Sequence, residues 1–497
     1  IMFGICIFIS LPVLLSISQS ELAPAEDQGT IYVASSAPDH ANLDYLNRFT
    51  AEIVDIWQQQ TEPGIKYSFQ VNHNDMAFGG LILYPWDERN KTQQQLQTEL
   101  QGKLSKIAGL EIFTFGEPPL PGGESGLPVN FVLSSTADYE SIVKAADKIV
   151  EAARQSGHFM FITQDLRFTR PEINIAIDRE KAARLGISMK SIGDTLGLML
   201  GESDINRFSM EGRSYKVIPQ APRDFRLTKE WLERYYIRTD SNDLIPLSTI
   251  ITLYSSIKPN NLTQYQQLNS TNIKAMLMPG TSLGTGLDFL KTTAEEIAPA
   301  GFRTAYEGES RRYIQESSQF LVLFGTSLLL VYLVLSAQFN SFRDPFVVLL
   351  CVPMSTFGAV VPLALGFATL NIFTQIGLVT LIGLISKHGI LIVDFANQRR
   401  AQGVEIREAV LQAAALRLRP ILMTTAATTL GIAPLLFAFG AGANSRFSIG
   451  LVITAGMLIG TLFTLFVVPV YYLAFEGKRD FEIDNAAQNS TEVSKTS

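Results

Sequence analysis

Apolar runs long enough to cross a bilayer crowd the last third of this chain, and the stretch before them alternates in short strand-like and helix-like periods. A spanning helix needs ~20 mostly apolar residues, because ~30 Å of hydrocarbon is crossed with every backbone polar group satisfied inside the helix. Five such runs follow one another, at residues 320–339, 345–365, 373–396, 421–439 and 447–474, with short connections between them. Gly, Ser and Thr within them allow helix backbones to approach closely. A sixth apolar run, residues 1–18, lacks the basic n-region of a signal peptide and reads as a spanning helix cut at its start.

Basic residues orient these crossings, since Lys and Arg beside spanning segments are retained on the cytoplasmic side. The connection after Ala396 carries Arg399, Arg400, Arg407, Arg417 and Arg419, whereas residues 366–372 carry no charge and residues 440–446 only Arg446. The first is therefore expected in the cytoplasm, together with the polar C-terminal tail of residues 477–497, and the region between residues 19 and 318 outside.

That outer region has the alternation of α+β modules. In residues 19–123, a strand from Thr30 precedes a helix with Leu43, Leu46, Phe49, Ile53 and Trp57 on one face. Strands near 66–71 and 81–84, a helix with Leu96, Leu100 and Leu104, and a strand at 110–115 complete β-α-β-β-α-β, the ferredoxin-like order. A second module begins in residues 124–177 and resumes in residues 271–312. Residues 178–270 interrupt it with two short helices and a hairpin turning at Asp240 to Asp243. The expected fold class is a membrane α-helical bundle of six helices, five of them in residues 313–476, carrying α+β domains with ferredoxin-like modules.

Composition narrows the chemistry. The 497 residues carry a net charge of −7 with no Lys/Arg-rich run, which excludes nucleic acid as the partner. Cys6 and Cys351 lie in separate apolar runs and offer neither a disulfide framework nor a metal-ligand spacing. No Walker loop, nucleophile elbow or His-rich motif is present in the sequence, so an enzyme is not expected, no cofactor is implied, and the energy source is read as a gradient. Glu295-Glu296 and Arg311-Arg312 have no catalytic partner at a recognisable spacing and read as solvated faces.

The strings LIGLISKHGILIVDFANQ and RLRPILMTTAATTLGIAPL, within one helix plus a large outer region plus five helices, resemble the C-terminal half of a resistance-nodulation-division efflux transporter. IDREKAARLGIS and EGESRRYIQESSQF are similar to recurring segments of the same family. The Lys followed by GILIV resembles the hydrophobe/amphiphile multidrug branch rather than the heavy-metal branch, where Met clusters line the path and here Met76 stands alone in its loop. The resemblance implies a proton-driven antiporter of amphiphilic small molecules in the bacterial inner membrane. It implies a homotrimer of the complete permease, working with a periplasmic adaptor and an outer-membrane channel. It also implies that the proton-loading carboxylates lie on a helix of the other half, so this half is not expected to pump alone.

Lys387 is the strongest single candidate. A mid-helix ammonium costs at least ~2.5–3.5 kcal/mol, so it is expected to face a partner inside the bundle rather than snorkel to the surface. Arg417 and Thr424, seven residues apart, share a helix face and match the family's proton-relay positions; read plainly, they are a positive-inside anchor and a hydroxyl bonded to its own helix. His388 points about 100° away from Lys387 around the helix, and reads equally as a proton site or a packed core histidine. Asp394 reads as a solvated helix-end carboxylate.

For substrate, residues 72–80 read as a loop between two strands and match the family's switch-loop position. Glycines there suggest mobility, with Met76 and Phe78 for adaptable apolar contact. Phe69, Phe113 and Phe115 on neighbouring strands line the same expected cleft, although strand aromatics more often fill cores. Two alternatives stay open: a protein-export or assembly factor sharing the bundle, and a half-size subunit of a heteromeric transporter.

Overall fold

The structure is a computed structural model that describes residues 2–493 apart from 39–40, 60–63, 74–75, 121–126, 202 and 279, with side chains from Gly4 to Phe475. Its contacts divide the chain into two units, Ile1–Leu166 with Leu262–Ser497, and Arg167–Asn261.

In the first unit an apolar helix, α1 (Met2–Ile17), leads to β1 (Thr30–Ser36), α2 (Leu43–Gln58), β2 (Ile65–His73), β3 (Met76–Leu83), α3 (Gln93–Leu104) and β4 (Glu111–Gly116). The strands form one antiparallel sheet in the order β2-β3-β1-β4. The period-3.6 pattern of α2 buries Leu46, Thr50, Ile53 and Trp57, and the side chain of Asn42 caps its N-terminus. Thr92 and Gln95 close a capping box on α3, which buries Leu96, Leu100 and Leu104. Both helices cover the sheet face carrying Ile31, Val33 and Leu81. The second module begins with β5 (Val129–Ser135), α4 (Tyr139–Gln155) and β6 (Phe159–Gln164).

The second unit holds β7 (Arg170–Ile177), α5 (Arg179–Arg184), α6 (Met189–Leu200), β8 (Asn206–Met210), β9 (Arg213–Val217), α7 (Glu230–Arg234), β10 (Tyr236–Arg238), β11 (Leu244–Pro246) and β12 (Ile251–Lys258). Asp178 and Ser188 cap α5 and α6, and Gly186 takes the left-handed turn between them. The expected start of this insertion at residue 178 moves to Arg167, because β7 pairs along its length with β12. Its end moves from residue 270 to Asn261, because the strand through Ser270 belongs to the other unit. The hairpin β8–β9, unforeseen in the sequence reading, turns on Glu211 and Gly212, both at positive φ.

The first unit resumes with β13 (Thr263–Tyr265), β14 (Leu268–Leu277), α8 (Leu283–Ile297) and β15 (Arg303–Tyr306). β14 pairs with β13, β5 and β6, and β15 pairs with β5. α4 and α8 pack Ile149, Ala146, Leu287 and Leu290 against this sheet.

The helices follow: α9 (Gly308–Phe339), α10 (Arg343–Leu349), α11 (Cys351–Ala364), α12 (Ile372–Ala401), α13 (Ile406–Leu436) and α14 (Ala443–Val493). Four segments are long and apolar enough to cross a membrane: Gly308–Phe339, Arg343–Ala364, Ile372–Ala401 and Ala443–Phe475. Four of the six expected spans thus meet that length and apolarity among the described residues, and the first and fifth do not. Gly4–Ile17 is short, and α13 combines Arg417 and Arg419 with four threonines in its apolar half. Side chains of the expected tail, residues 477–497, lie outside the described residues. Gly456 and Gly460 let α14 approach α11, where a Cβ at Gly460 would stand 2.7 Å from the Ser355 Cβ, and Ser355 donates to the Gly456 carbonyl at 3.1 Å.

The segment between α1 and β1 ties sheet to helices. Glu26 accepts from the Ser445 amide at 2.6 Å and the Asn444 amide at 3.3 Å, at the N-terminus of α14, where a carboxylate complements the helix dipole. The next residue, Asp27, forms a buried ion pair with Arg89 at 2.5 Å and accepts from the Gln93 amide at 2.6 Å.

Candidate functional site

α12 presents Leu378, Leu381, Ile382, Ile385 and Ile392 to the helix core. Ile376, Thr380, Gly383 and Lys387 form the opposite, exposed stripe. Lys387 therefore differs from expectation: apolar residues fill the packed face, the ammonium projects from the open one, and among the described residues it forms no ion pair or hydrogen bond.

Thr424 and Arg417 both face α12, as their seven-residue spacing requires. Thr424 Oγ1 lies 3.4 Å from His388 Nε2, and the Arg417 guanidinium lies 4.9 Å from the centre of the Phe395 ring. His388 and Phe395 are themselves seven residues apart, which is the match expected of two antiparallel helices. Arg417 Nε has no hydrogen-bond partner among the described residues. His388, 1% exposed, also meets Thr461 Oγ1 on α14 at 3.3 Å, and Thr461 meets Thr425 Oγ1 at 3.0 Å. Nothing in the sequence tied Thr425 and Thr461 to this place, since threonines are scattered through several of the apolar runs. Asp394 accepts from Gln398 at 2.9 Å one turn further along α12.

The second cluster lies on the first sheet. Residues 72–80 are not a loop: His73 pairs with Met76, and Met76 to Gly80 form the start of β3, with Asn74 and Asp75 outside the described residues. The glycines serve packing rather than mobility, for a Cβ at Gly80 would collide with the Phe69 ring. Strand alternation then puts all five expected residues on one face, opposite the helices. Phe69 pairs across from Gly80, Phe78 from Ala34, and Phe113 and Phe115 from Ala34 and Tyr32.

An aromatic row crosses this face. Phe69 and Phe78 rings stand 6.0 Å apart, Phe78 and Tyr32 5.5 Å, and Tyr32 and Phe115 5.7 Å. The Phe113 ring lies against Phe161 of β6, tilted by 32° with centroids 3.5 Å apart, joining the first sheet to the second module. Met76 and Phe69 are exposed, Phe78 and Phe113 half-buried, and Phe115 buried. Tyr32 was missed, although the alternation Ile31-Tyr32-Val33 already set it apart from the core pair. Phe115 also lines a cavity with Glu21, Glu26, Glu309 and Met276. Burial holds the Glu21 carboxyl above the usual carboxylate range, and the hydroxyl of Thr369, donating at 2.5 Å, acts in the opposite sense.

An uncharacterized transporter of Haemophilus influenzae is 38% identical over 478 residues, covering 95% of this chain and 46% of that protein. The multidrug/solvent efflux pump membrane transporter MepB of Pseudomonas putida is 29% identical, covering 94% and 46%. The multidrug resistance protein MdtF of Escherichia coli K12 is 29% identical, covering 91% and 45%. The chain thus spans about half the length of the curated relatives it matches. The model of the AcrB/AcrD/AcrF family matches residues 1–476, and this chain belongs to that family of resistance-nodulation-division efflux transporters.

Proposed function

We propose that this chain is the C-terminal half of a proton-driven inner-membrane permease that exports amphiphilic small molecules by antiport. The observation that carries the reading is Lys387. An ammonium on an apolar stripe at mid-helix costs at least ~2.5–3.5 kcal/mol in hydrocarbon, so the stripe from Ile376 to Lys387 is built to receive another helix that brings carboxylates to it. Protonating those carboxylates releases Lys387 and alters helix packing, which turns proton flow into conformational change. Thr424 and Arg417 extend the relay along the α12–α13 seam.

Met76, Phe78, Phe69, Phe113 and Phe115 form the substrate path, on ferredoxin-like modules held in the periplasm. Their aromatic face supports small-molecule efflux over a polypeptide-handling factor, because flat rings and a Met accept varied apolar surfaces without fixed hydrogen bonds. The names of MepB and MdtF point the same way. Six crossings put the Arg-rich connection and the C-terminus in the cytoplasm. The permease works as a trimer with a periplasmic adaptor and an outer-membrane channel. In the complete permease, Lys387→Ala is expected to abolish efflux at unchanged abundance in the membrane, and retained efflux overturns the reading.

A further inference from the structure

Positive charge gathers where α12 ends and α13 begins. From Asn397 to Arg419 the chain carries Arg399, Arg400, Arg407, Arg417 and Arg419 against Glu405 and Glu408, in a protein of net charge −7. Two of these arginines, from different helices, meet one ring. The guanidiniums of Arg399 and Arg417 lie 5.2 Å and 4.9 Å from the centre of Phe395, so no more than about 10 Å separates them. In both, Nε is shut off from solvent and has no hydrogen-bond partner among the described residues. Arg399 donates to the Gln402 side chain at 3.0 Å, and neither arginine is in an ion pair among the described residues. Of the carboxylates nearby in sequence, Asp394 accepts from Gln398 and Glu408 from Gln412. Arginine does not shed its proton, so titration cannot relieve the repulsion between the two groups. The ring face offsets part of each charge, while the N–H edges are left for an oxygen anion that both can share.

Beside Arg417, α13 exposes an apolar row. Leu416, Met423 and Leu430 are 55%, 65% and 72% exposed. Spaced seven residues apart, they share one face of the helix and cover about 21 Å at 1.5 Å per residue. The row begins level with Arg417 and runs into the apolar half of α13, further than the ~15 Å that one leaflet contributes to a ~30 Å hydrocarbon core.

The geometry points to a binding site for an anionic phospholipid, its phosphate held between Arg399 and Arg417 over Phe395 and one acyl chain laid along Leu416, Met423 and Leu430. A phosphodiester offers the paired oxygens that an arginine fork takes, and basic pockets between spanning helices hold such head groups. A soluble anion would fill the arginines and leave the row bare, whereas a phospholipid answers both features at once. Bound there, it fastens the end of α12 to the start of α13. The site stands on these contacts and is independent of any part that Arg417 takes in the proton relay.

Native mass spectrometry of the full chain and of the complete permease, titrated with dioleoylphosphatidylglycerol, tests this. The first such lipid is expected to bind on the order of tenfold more tightly than dioleoylphosphatidylcholine, whose choline brings a cation to the arginines. Arg399→Gln is expected to remove that preference, and Arg407→Gln, whose arginine makes no contact with the ring, to keep it. Met423→Ser, on the exposed row, should weaken both lipids and preserve the preference, which keeps the test readable if Arg399→Gln fails to fold. Equal affinity for the two lipids, a preference that survives Arg399→Gln, or lipid binding indifferent to Met423→Ser overturns the proposal. Displacement of the lipid by an equal concentration of glycerol phosphate would mark a site for a soluble anion and refute it too. So would a first lipid that the full chain binds and the complete permease does not, which gives the row to a helix of the other half.

Discussion

The joint between sheet and helices makes a quantitative prediction, because the two halves of the Asp27–Arg89 pair are not equally provided for. Their side chains are 5% and 2% exposed and meet at 2.5 Å. Asp27 has other donors, the Gln93 amide at 2.6 Å and the Gly29 amide at 3.2 Å. Arg89 has less: a 3.4 Å bond to the Lys91 carbonyl, the Trp86 ring at 4.6 Å, and an Nε with no hydrogen-bond partner among the described residues. Asp27→Asn therefore leaves a buried guanidinium almost uncompensated and is expected to cost about 3–5 kcal/mol, the usual penalty for breaking a buried pair from one side. Arg89→Met leaves a carboxylate still holding two backbone N–H groups, each worth roughly 1.5–3 kcal/mol to a charged acceptor, so its cost is expected nearer 1–3 kcal/mol. The double variant should cost less than Asp27→Asn alone, since no buried charge remains. Amide hydrogen exchange over residues 28–30 and the first turn of α3, in the full chain in lipid, reads these costs as opening free energies. An Arg89→Met cost equal to or above that of Asp27→Asn, or additive single effects, would refute the accounting.

Two further outcomes follow from particular contacts. Gly80→Ala should displace the Phe69 ring at a strain of about 0.5–1.5 kcal/mol, and weaken binding of an apolar dye to the complete permease much as Phe69→Ala does; unchanged dye affinity in both variants removes Phe69 from the substrate path. Glu21, with its pKa raised by burial, binds more protons folded than unfolded, so its contribution is full below the unfolded pKa and is lost as pH rises through the folded one. Glu21→Gln keeps an oxygen for the Thr369 hydroxyl and carries no charge, so thermal unfolding should show stabilisation at pH 8 and little or none near pH 4; an equal shift at both would count against burial as the cause.

Period and spacing made the local geometry legible, and they failed where a partner came from elsewhere in the chain. The buried face of α2 and the shared face of Arg417 and Thr424 follow from 3.6 residues per turn and needed no structure. The insertion boundary did not follow, because β7 alternates as any strand does and only its pairing with β12 removes it from the second module. Residues 72–80 misled for a related reason: glycines read as mobility when isolated, yet Gly80 is small because Phe69 lies over it. That Thr424 and Thr461 meet the two ring nitrogens of His388 was not legible either, because the two threonines come from helices whose packing against α12 no spacing within α12 encodes.

The two candidate clusters are far apart in sequence, and the chain joins them at adjacent residues. Glu26 is bonded to the first amides of α14, the helix that carries Thr461 to His388. Asp27 is bonded to Arg89 and to the first turn of α3, which packs beneath the sheet bearing Tyr32 and Phe115. Two consecutive residues cannot move independently when both side chains are held in charge-assisted bonds. A displacement of the N-terminus of α14 is therefore expected to reach the base of the aromatic face through one peptide unit. Cutting either bond separates the two consequences: Glu26→Gln should loosen the start of α14 and leave the Asp27–Arg89 pair intact, while Asp27→Asn should loosen the sheet and leave the amides of Asn444 and Ser445 protected. Loss of protection at both places from either substitution would mean that the segment folds as one unit and transmits nothing in particular.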